Sequence, residues 1–320
     1  MKAVFAGVVL ALASTMACAQ GWPAKPLRMV VPLAPGSTAD IVSRVVATEL
    51  AKSLGQPVVV ENKLGAGGSI AMSEVARAAP DGYTISFASQ GTLVFNQALY
   101  KAPGYDSLKD FTPLAFVGGV SNVMIVHPTN PAKSPLDVVK EAKAKPGTLT
   151  FSSGGAGTSH HLSGVLFAQM TQTELVHVPY KQTPAGILAV MTGEVSMGFF
   201  NTPTVIGQIQ SGKLKPLGVT SLTRSKQLPD IPTLDAQGLK GYEMNTWFGF
   251  VGPAGIPASV VERLNREINA VLARPEVLAS LDKQGFEIPP ASTPAAFAKT
   301  IAEDMAKWVP LIKASGARAD

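Results

Sequence analysis

The sequence predicts an α/β protein of two lobes joined by two crossovers, each lobe a mixed sheet flanked by helices. Three observations predict it. Four apolar strand-like runs each break into a turn of Gly, Ser and Thr and then into a helix-like run. Such alternation builds open α/β sheets that bind ligands at the carboxyl ends of their strands. The fourth unit opens a second strand–helix series after a proline-punctuated connection. The chain then ends in helices with no strand series of their own, which predicts that the tail returns to cover the first lobe.

The elements follow in order. Residues 29–33 read as a strand, 34–38 (Ala-Pro-Gly-Ser-Thr) as a turn, and a helix starts at about Ala39. Ile41, Val42, Val45, Val46, Leu50 and Leu54 share one helical face, with Arg44, Glu49 and Lys52 opposite. Ser37 or Thr38 suits the N-cap and Gly55 the C-cap. The all-valine run 58–60 reads as a buried parallel strand, followed by the turn 65–68 and a helix from about Ser69. Residues 84–88 form the third strand, 89–92 its turn, then a short helix. A strand over 120–126 precedes Pro128, Pro131 and Pro135, and a helix over 135–145 ends at Pro146-Gly147. Strand 149–151, the long turn 152–159 and a helix from about His160 to Thr171 come next. They are followed by strand 175–178, helix 184–192, and strands 195–200 and 214–221. Pro229, Pro232, Gly238 and Gly241 mark a loop, and helices over 258–273, 275–284 and 294–315 complete the chain. Lobe 1 is expected over 20–119 and 246–320, and lobe 2 over 120–245. The crossovers fall near 118–120 and 245–247, with a ligand cleft between the lobes.

The first residues predict export. Lys2, the apolar stretch 4–13 and the small-x-small site Ala17-Cys18-Ala19 read as a signal peptide (residues 1–19) cleaved after Ala19. A lipoprotein reading would instead lipidate Cys18, but Thr15 and Met16 fit it poorly. Cys18 is the single cysteine, so the mature chain has none and must be held by its core. Its roughly 300 residues suffice for two lobes. The formal charge falls from +5 to +4 (26 Lys and Arg against 22 Asp and Glu) once Lys2 is removed. The charges are scattered singly, with no basic stripe, which argues against nucleic acid.

Catalytic patterns fail. Around Ser159 the last position of Gly-x-Ser-x-Gly is His161, so the nucleophile elbow is broken. No Gly-Lys-Ser/Thr occurs, and Ile70 stands where a dinucleotide fingerprint needs its third Gly. The four histidines, 127, 160, 161 and 177, lack metal-ligand spacing. No catalytic residue, metal or cofactor is expected; an exported hydrolase using Ser159 and a histidine is the outside alternative. Each turn offers backbone N–H groups and hydroxyls at a helix start, which suits an anion. Gln90 and Thr92 of the third turn are candidates on that ground. The same glycines could serve merely for positive φ and close helix approach.

Taken together the motifs resemble a known family. They include 31–40 (Val-Pro-Leu-Ala-Pro-Gly-Ser-Thr-Ala-Asp), 60–68 (Val-Glu-Asn-Lys-Leu-Gly-Ala-Gly-Gly) and 80–84 (Pro-Asp-Gly-Tyr-Thr). Ser152-Ser153-Gly154, Gly157-Thr158-Ser159-His160-His161-Leu162, His177-Val178-Pro179-Tyr180-Lys181 and Trp247-Phe248-Gly249 continue the series. In this order, over about residues 22–318, they resemble the solute-binding receptors of tripartite tricarboxylate transporters, also called Bug receptors. The resemblance implies a type II-like periplasmic binding protein, expected as a monomer, that closes on a small carboxylate and delivers it to integral-membrane transporter subunits. It implies that Pro35, Gly36, Ser37 and Thr38, with Gly67 and Gly68, hold one carboxylate. From the other lobe it implies Ser153, Gly154, Thr158, Ser159 and His161, with Asn201 as a polar contact. Three positions depart from the family pattern. Ser37 replaces the second of two glycines, His160 stands where Ser is common, and Gln182 where Gly is common. Donors from His160 and Gln182 would suit a dicarboxylate. A sensory receptor of the same fold is the runner-up.

Overall fold

The computed structural model describes residues 21–283, 285–314 and 316–319; the expected signal peptide lies outside them. The first half alternates β1 (Leu27–Val31), α1 (Thr38–Leu54), β2 (Val58–Asn62), α2 (Ser69–Ala76) and β3 (Thr84–Ser89). A π-turn over Gly91–Phe95 and the one-turn α3 (Asn96–Leu99) follow. β4 (Phe111–Val126) leads into α4 (Pro135–Ala144), β5 (Thr150–Ser153), α5 (Ser159–Thr171), β6 (Val176–Pro179), α6 (Thr183–Met191) and β7 (Met197–Asn201). Then come α7 (Thr202–Gln210), β8 (Lys215–Val219), β9 (Asn245–Pro253), α8 (Ala258–Leu272), α9 (Pro275–Asp282) and α10 (Pro294–Ala314).

The strands form one curled nine-stranded sheet in the order β2-β1-β3-β9-β4-β7-β5-β6, with β8 also pairing β4. β1 pairs parallel to β2 and β3, and β5 parallel to β6 and β7, as βα units require. The two halves are joined by β4 and β9, an antiparallel pair in register from Phe111 opposite Pro253 to Ser121 opposite Asn245. The predicted crossovers are therefore neighbouring rungs of one ladder, and β4 begins nine residues before the strand expected over 120–126. A bulge between Phe116 and Gly118 bends it there. At Gly118 (φ +140°) a Cβ would run into the carbonyl of Glu287, so the close approach requires glycine. Gly119 and Glu287 exchange both backbone hydrogen bonds, at 2.9 and 2.8 Å.

α1 begins and ends where its caps dictate: the Ser37 hydroxyl accepts from the Asp40 N–H, and Gly55 takes the left-handed conformation. α7 had no counterpart among the predicted elements, because Pro203 and Gly207 interrupt its apolar pattern. The predicted burial of β2 is also corrected. β2 lies at the sheet edge, and its alternate residues Val59 and Glu61 share a solvent-facing side, leaving Val59 about half exposed.

The cores sit on both faces of the sheet. In the first half Phe87 stacks on Phe248 at 5.6 Å and meets Phe250 at 4.9 Å. In the second half Phe167 packs on Phe199 and Tyr242. The helical tail packs on the first half. Phe297 of α10 meets Phe116 at 5.7 Å and Trp247 at 5.5 Å, and Trp308 meets Phe95 at 5.6 Å. The tail also touches the second half, where the Gln227 side-chain amide donates to the Asp282 carbonyl.

Candidate functional site

The turns that end β1, β2 and β3 face the turn between β5 and α5 and the end of β7. They meet closely. The Thr38 hydroxyl donates to Asn201 Oδ1 at 3.1 Å. A Cβ on Gly91 or Gly67 would stand 2.6 Å from the carbonyl of Gly157 or Ala156 respectively. Glycine at these positions lets the two backbones approach.

Between them lies a cavity of about 20 Å³, room for roughly one water-sized sphere. Its polar walls are Ser89, Thr158, Ser159, His160, Asn201 and Thr246; Leu33, Phe248, Gly67 and Gly157 complete it. None of these side chains is charged. The arrangement supplies neutral hydroxyl, amide and imidazole groups in a water-poor setting, where hydrogen bonds to an anion strengthen.

Of the sequence-predicted residues, Gly67, Thr158, Ser159 and Asn201 line this cavity. The others do not, and most have polar groups that are already engaged. The Gly36 N–H donates to Asp40 Oδ2 at 3.0 Å, and the Ser37 N–H to the Ala34 carbonyl at 3.1 Å. Pro35 and Gly36 are exposed, and Ser37 caps α1. Thr38 is buried and reaches the site only through Asn201. Gly68 packs against Thr92 and Pro32 and donates to the Gly65 carbonyl. Thr92 exchanges hydrogen bonds with Ser89. Gln90 donates to Asp304 at 2.6 Å rather than facing the cavity. Ser153 pairs with His177 Nε2 at 2.7 Å, and the Gly154 N–H donates to His160 Nδ1 at 3.3 Å. Gln182 is exposed at the start of α6.

His161, singled out by the resemblance, is displaced by its neighbour. Its ring stacks on His177 behind the turn, while His160 lines the cavity. On a helix, adjacent residues point about 100° apart, so only one of the pair can face the cleft. Ser89, Thr246 and Phe248 were not among the expected contacts. Thr246 and Phe248 lie on β9, far in sequence from every Gly-rich turn, and Ser89 ends β3 one residue before Gln90 and three before Thr92.

Burial holds the imidazoles neutral. It pushes His160 down to about 4, against a smaller opposing effect of its contact with Asn201. Burial, then the neighbouring His177, lowers His161, and burial lowers His177. For Asp40, burial opposes ionisation. Hydrogen bonds from Arg44, the Gly36 N–H and Asn62 outweigh it and keep the carboxyl below its ordinary value. Asp40 thus braces the first turn from behind. A buried network continues the site inward: Asn201 Nδ2 donates to Asn122 Oδ1, and Asn122 Nδ2 to Ser163 Oγ at 2.7 Å. Ser153 and His177 form a serine–histidine pair, but Ser153 is fully buried. Among the described residues no group of acidic, cysteine and histidine side chains could hold a metal ion.

Known proteins share this architecture. Residues 42–317 match the family described as tripartite tricarboxylate transporter family receptor. The chain is 33% identical to Protein BugT of Bordetella pertussis over 315 residues, 98% of this chain and 96% of BugT. It is similar to the structure of R. palustris Rpa4515 with adipate, with TM-score 0.89 and 32% identity over 92% of this chain and 98% of that one. The periplasmic binding protein BugD gives TM-score 0.87 and 34% identity over 93% of this chain and 99% of BugD. Proteins of this kind are two-lobed substrate-binding receptors, not enzymes. In its motifs, its sheet and its inter-half cleft the chain belongs to the tripartite tricarboxylate transporter receptors, the Bug family.

Proposed function

We propose that the mature protein, exported to the periplasm with cleavage after Ala19, captures a small organic carboxylate between its lobes. It then delivers the ligand to the membrane subunits of a tripartite tricarboxylate-type transporter. The lobes are residues 20–119 with 246–320, and 120–245. One observation carries the reading: a narrow cavity walled from both halves by neutral donors and free of charged side chains. A neutral wall of hydroxyl, amide and imidazole groups can hold an anion once closure excludes water. The cavity is too small for a molecule the size of adipate, the ligand named for Rpa4515. Loading therefore requires the halves to part along the β4–β9 hinge and re-close, and binding stabilises the closed form because the ligand touches both halves only there. Both mono- and dicarboxylates fit this chemistry.

The test is a thermal-shift screen of the mature protein against aliphatic, citrate-like and aromatic acids, after mass spectrometry of the denatured sample has identified any acid carried through purification. A saturable rise in midpoint with one or a few acids supports the reading by linkage. No rise with any acid, in protein carrying none, overturns it.

A further inference from the structure

Two donors from opposite halves of the fold converge on a single oxygen. Thr38 Oγ1, at the first residue of α1, donates to Asn201 Oδ1 at 3.1 Å, and His160 Nε2, in the first turn of α5, lies 3.2 Å from the same atom. The His160 tautomer follows from its other nitrogen. The Gly154 N–H donates to Nδ1 at 3.3 Å, so Nδ1 is the acceptor and the ring proton sits on Nε2, aimed at Asn201. The far end of the Asn201 amide sets its orientation, because Nδ2 donates to Asn122 Oδ1 and, at 3.4 Å, to Ser159 Oγ. Thr38, His160 and Asn201 are all at most 5% exposed. His160, Ser159 and Asn201 also wall the cavity.

An oxygen that accepts from both halves at once is what a receptor's anionic ligand would supply. Here the protein supplies it itself, with a neutral amide. Resting on the carboxylate-receptor reading above, we propose that Asn201 Oδ1 is an internal stand-in for a ligand carboxylate oxygen. It occupies the Thr38 and His160 donors while the cleft is closed and yields them when ligand enters. Asn201 is then a competitor of the ligand, and Thr38 with His160 is the pair that reads the anion across the cleft. The exchange is favourable because a carboxylate oxygen accepts roughly twice as strongly as a neutral amide. Its cost is the amide's two contacts, so the stand-in sets a threshold that weak acceptors do not pass. Alcohols and amides of the same carbon skeleton should be excluded for this reason.

The experiment measures dissociation constants for one acid that shifts the wild-type protein, in wild type, Thr38→Val, His160→Phe and Asn201→Ala. Loss of a hydrogen bond to a charged group predicts a weakening of about 10-fold or more in Thr38→Val and His160→Phe. Asn201→Ala should bind at least as tightly as wild type. A loss in Asn201→Ala equal to that of the two donors makes Asn201 a direct ligand contact and overturns the proposal. Unchanged affinity in both donor variants overturns it too, while leaving the receptor reading intact. Failure of the wild type to bind any acid overturns the reading and the proposal together. A second measurement needs no variant. The His160 Nε2–H proton resonance should move downfield when acid is added, as its acceptor changes from amide to carboxylate. A resonance that stays in place at saturation overturns the proposal.

Discussion

The imidazoles of His161 and His177 stack with ring centres 4.1 Å apart, and the Phe151 ring lies on His177 at 4.9 Å. The stack backs the turn between β5 and α5. His177 Nε2 bonds Ser153 Oγ at 2.7 Å, and the Gly157 N–H points at His161 Nδ1 at 3.5 Å. A charge on either ring would sit beside the other, in a setting that already disfavours it.

Acid should therefore destabilise the protein through its histidines. Burial lowers the folded-state values of His160, His161 and His177 below the ordinary 6.5, to about 4 for His160 and His177. Their contribution is complete above 6.5 and is lost as pH falls from there toward the folded values, because the unfolded chain takes up protons that the fold refuses. Each such group steepens the loss by up to about 1.4 kcal/mol per pH unit. Thermal unfolding between pH 7.5 and 4 should show midpoints falling below 6.5, with a shallower slope in His177→Phe. Parallel slopes in the two proteins would refute the assignment.

At Gly157 the backbone is left-handed (φ +84°), and a Cβ would collide with Asn96 Oδ1 across the cleft. Gly193 has a similar φ of +74° but open space around it. Gly193→Ala should cost on the order of 1 kcal/mol from backbone strain alone. Gly157→Ala should cost about 1–3 kcal/mol more from overpacking and should also weaken ligand-driven closure. Urea titrations of both variants give the comparison, and equal losses would show that the cross-cleft contact carries no weight.

Phe87 is fully buried between Phe248 and Phe250, where β3 pairs with β9. Truncation to alanine removes both ring contacts in a position with little freedom to collapse. Phe87→Ala should lose about 3–5 kcal/mol in equilibrium denaturation.

Asp304 Oδ2 accepts from Trp247 Nε1 at 2.5 Å and from Gln90 Nε2 at 2.6 Å, tying α10 both to β9 and to the third turn. Trp247→Phe keeps the ring packing on Phe116 and Phe297 but removes one charge-assisted bond. The expected cost is about 1.5–3 kcal/mol. In the opening proposed above Trp247 sits on the strand that bends, so its fluorescence should change on ligand addition, and that change should vanish in Trp247→Phe.

Local chemistry made much of this fold readable. The caps of α1 at Ser37 and Gly55 were legible because each depends on a few adjacent residues. So were the parallel strands that precede the Gly-rich turns, whose apolar runs carry their own period. α7 escaped notice because Pro203 and Gly207 mask a helix that its packing on β4 and β7 sustains.

The residue types of the site and the four turns that meet there were determined by the sequence itself, because anion-compatible turns and glycines at positive φ are local requirements. Which groups face the cavity was decided only by tertiary structure. Asp40 consumes the Gly36 N–H, Asp304 takes the Gln90 amide, and helix rotation places His160 rather than His161 at the wall. Thr246 and Phe248 arrive on β9 from far along the chain. A hydrogen-bonding group can be spent once, and the partner that claims it is chosen by distance in space, not by distance in sequence.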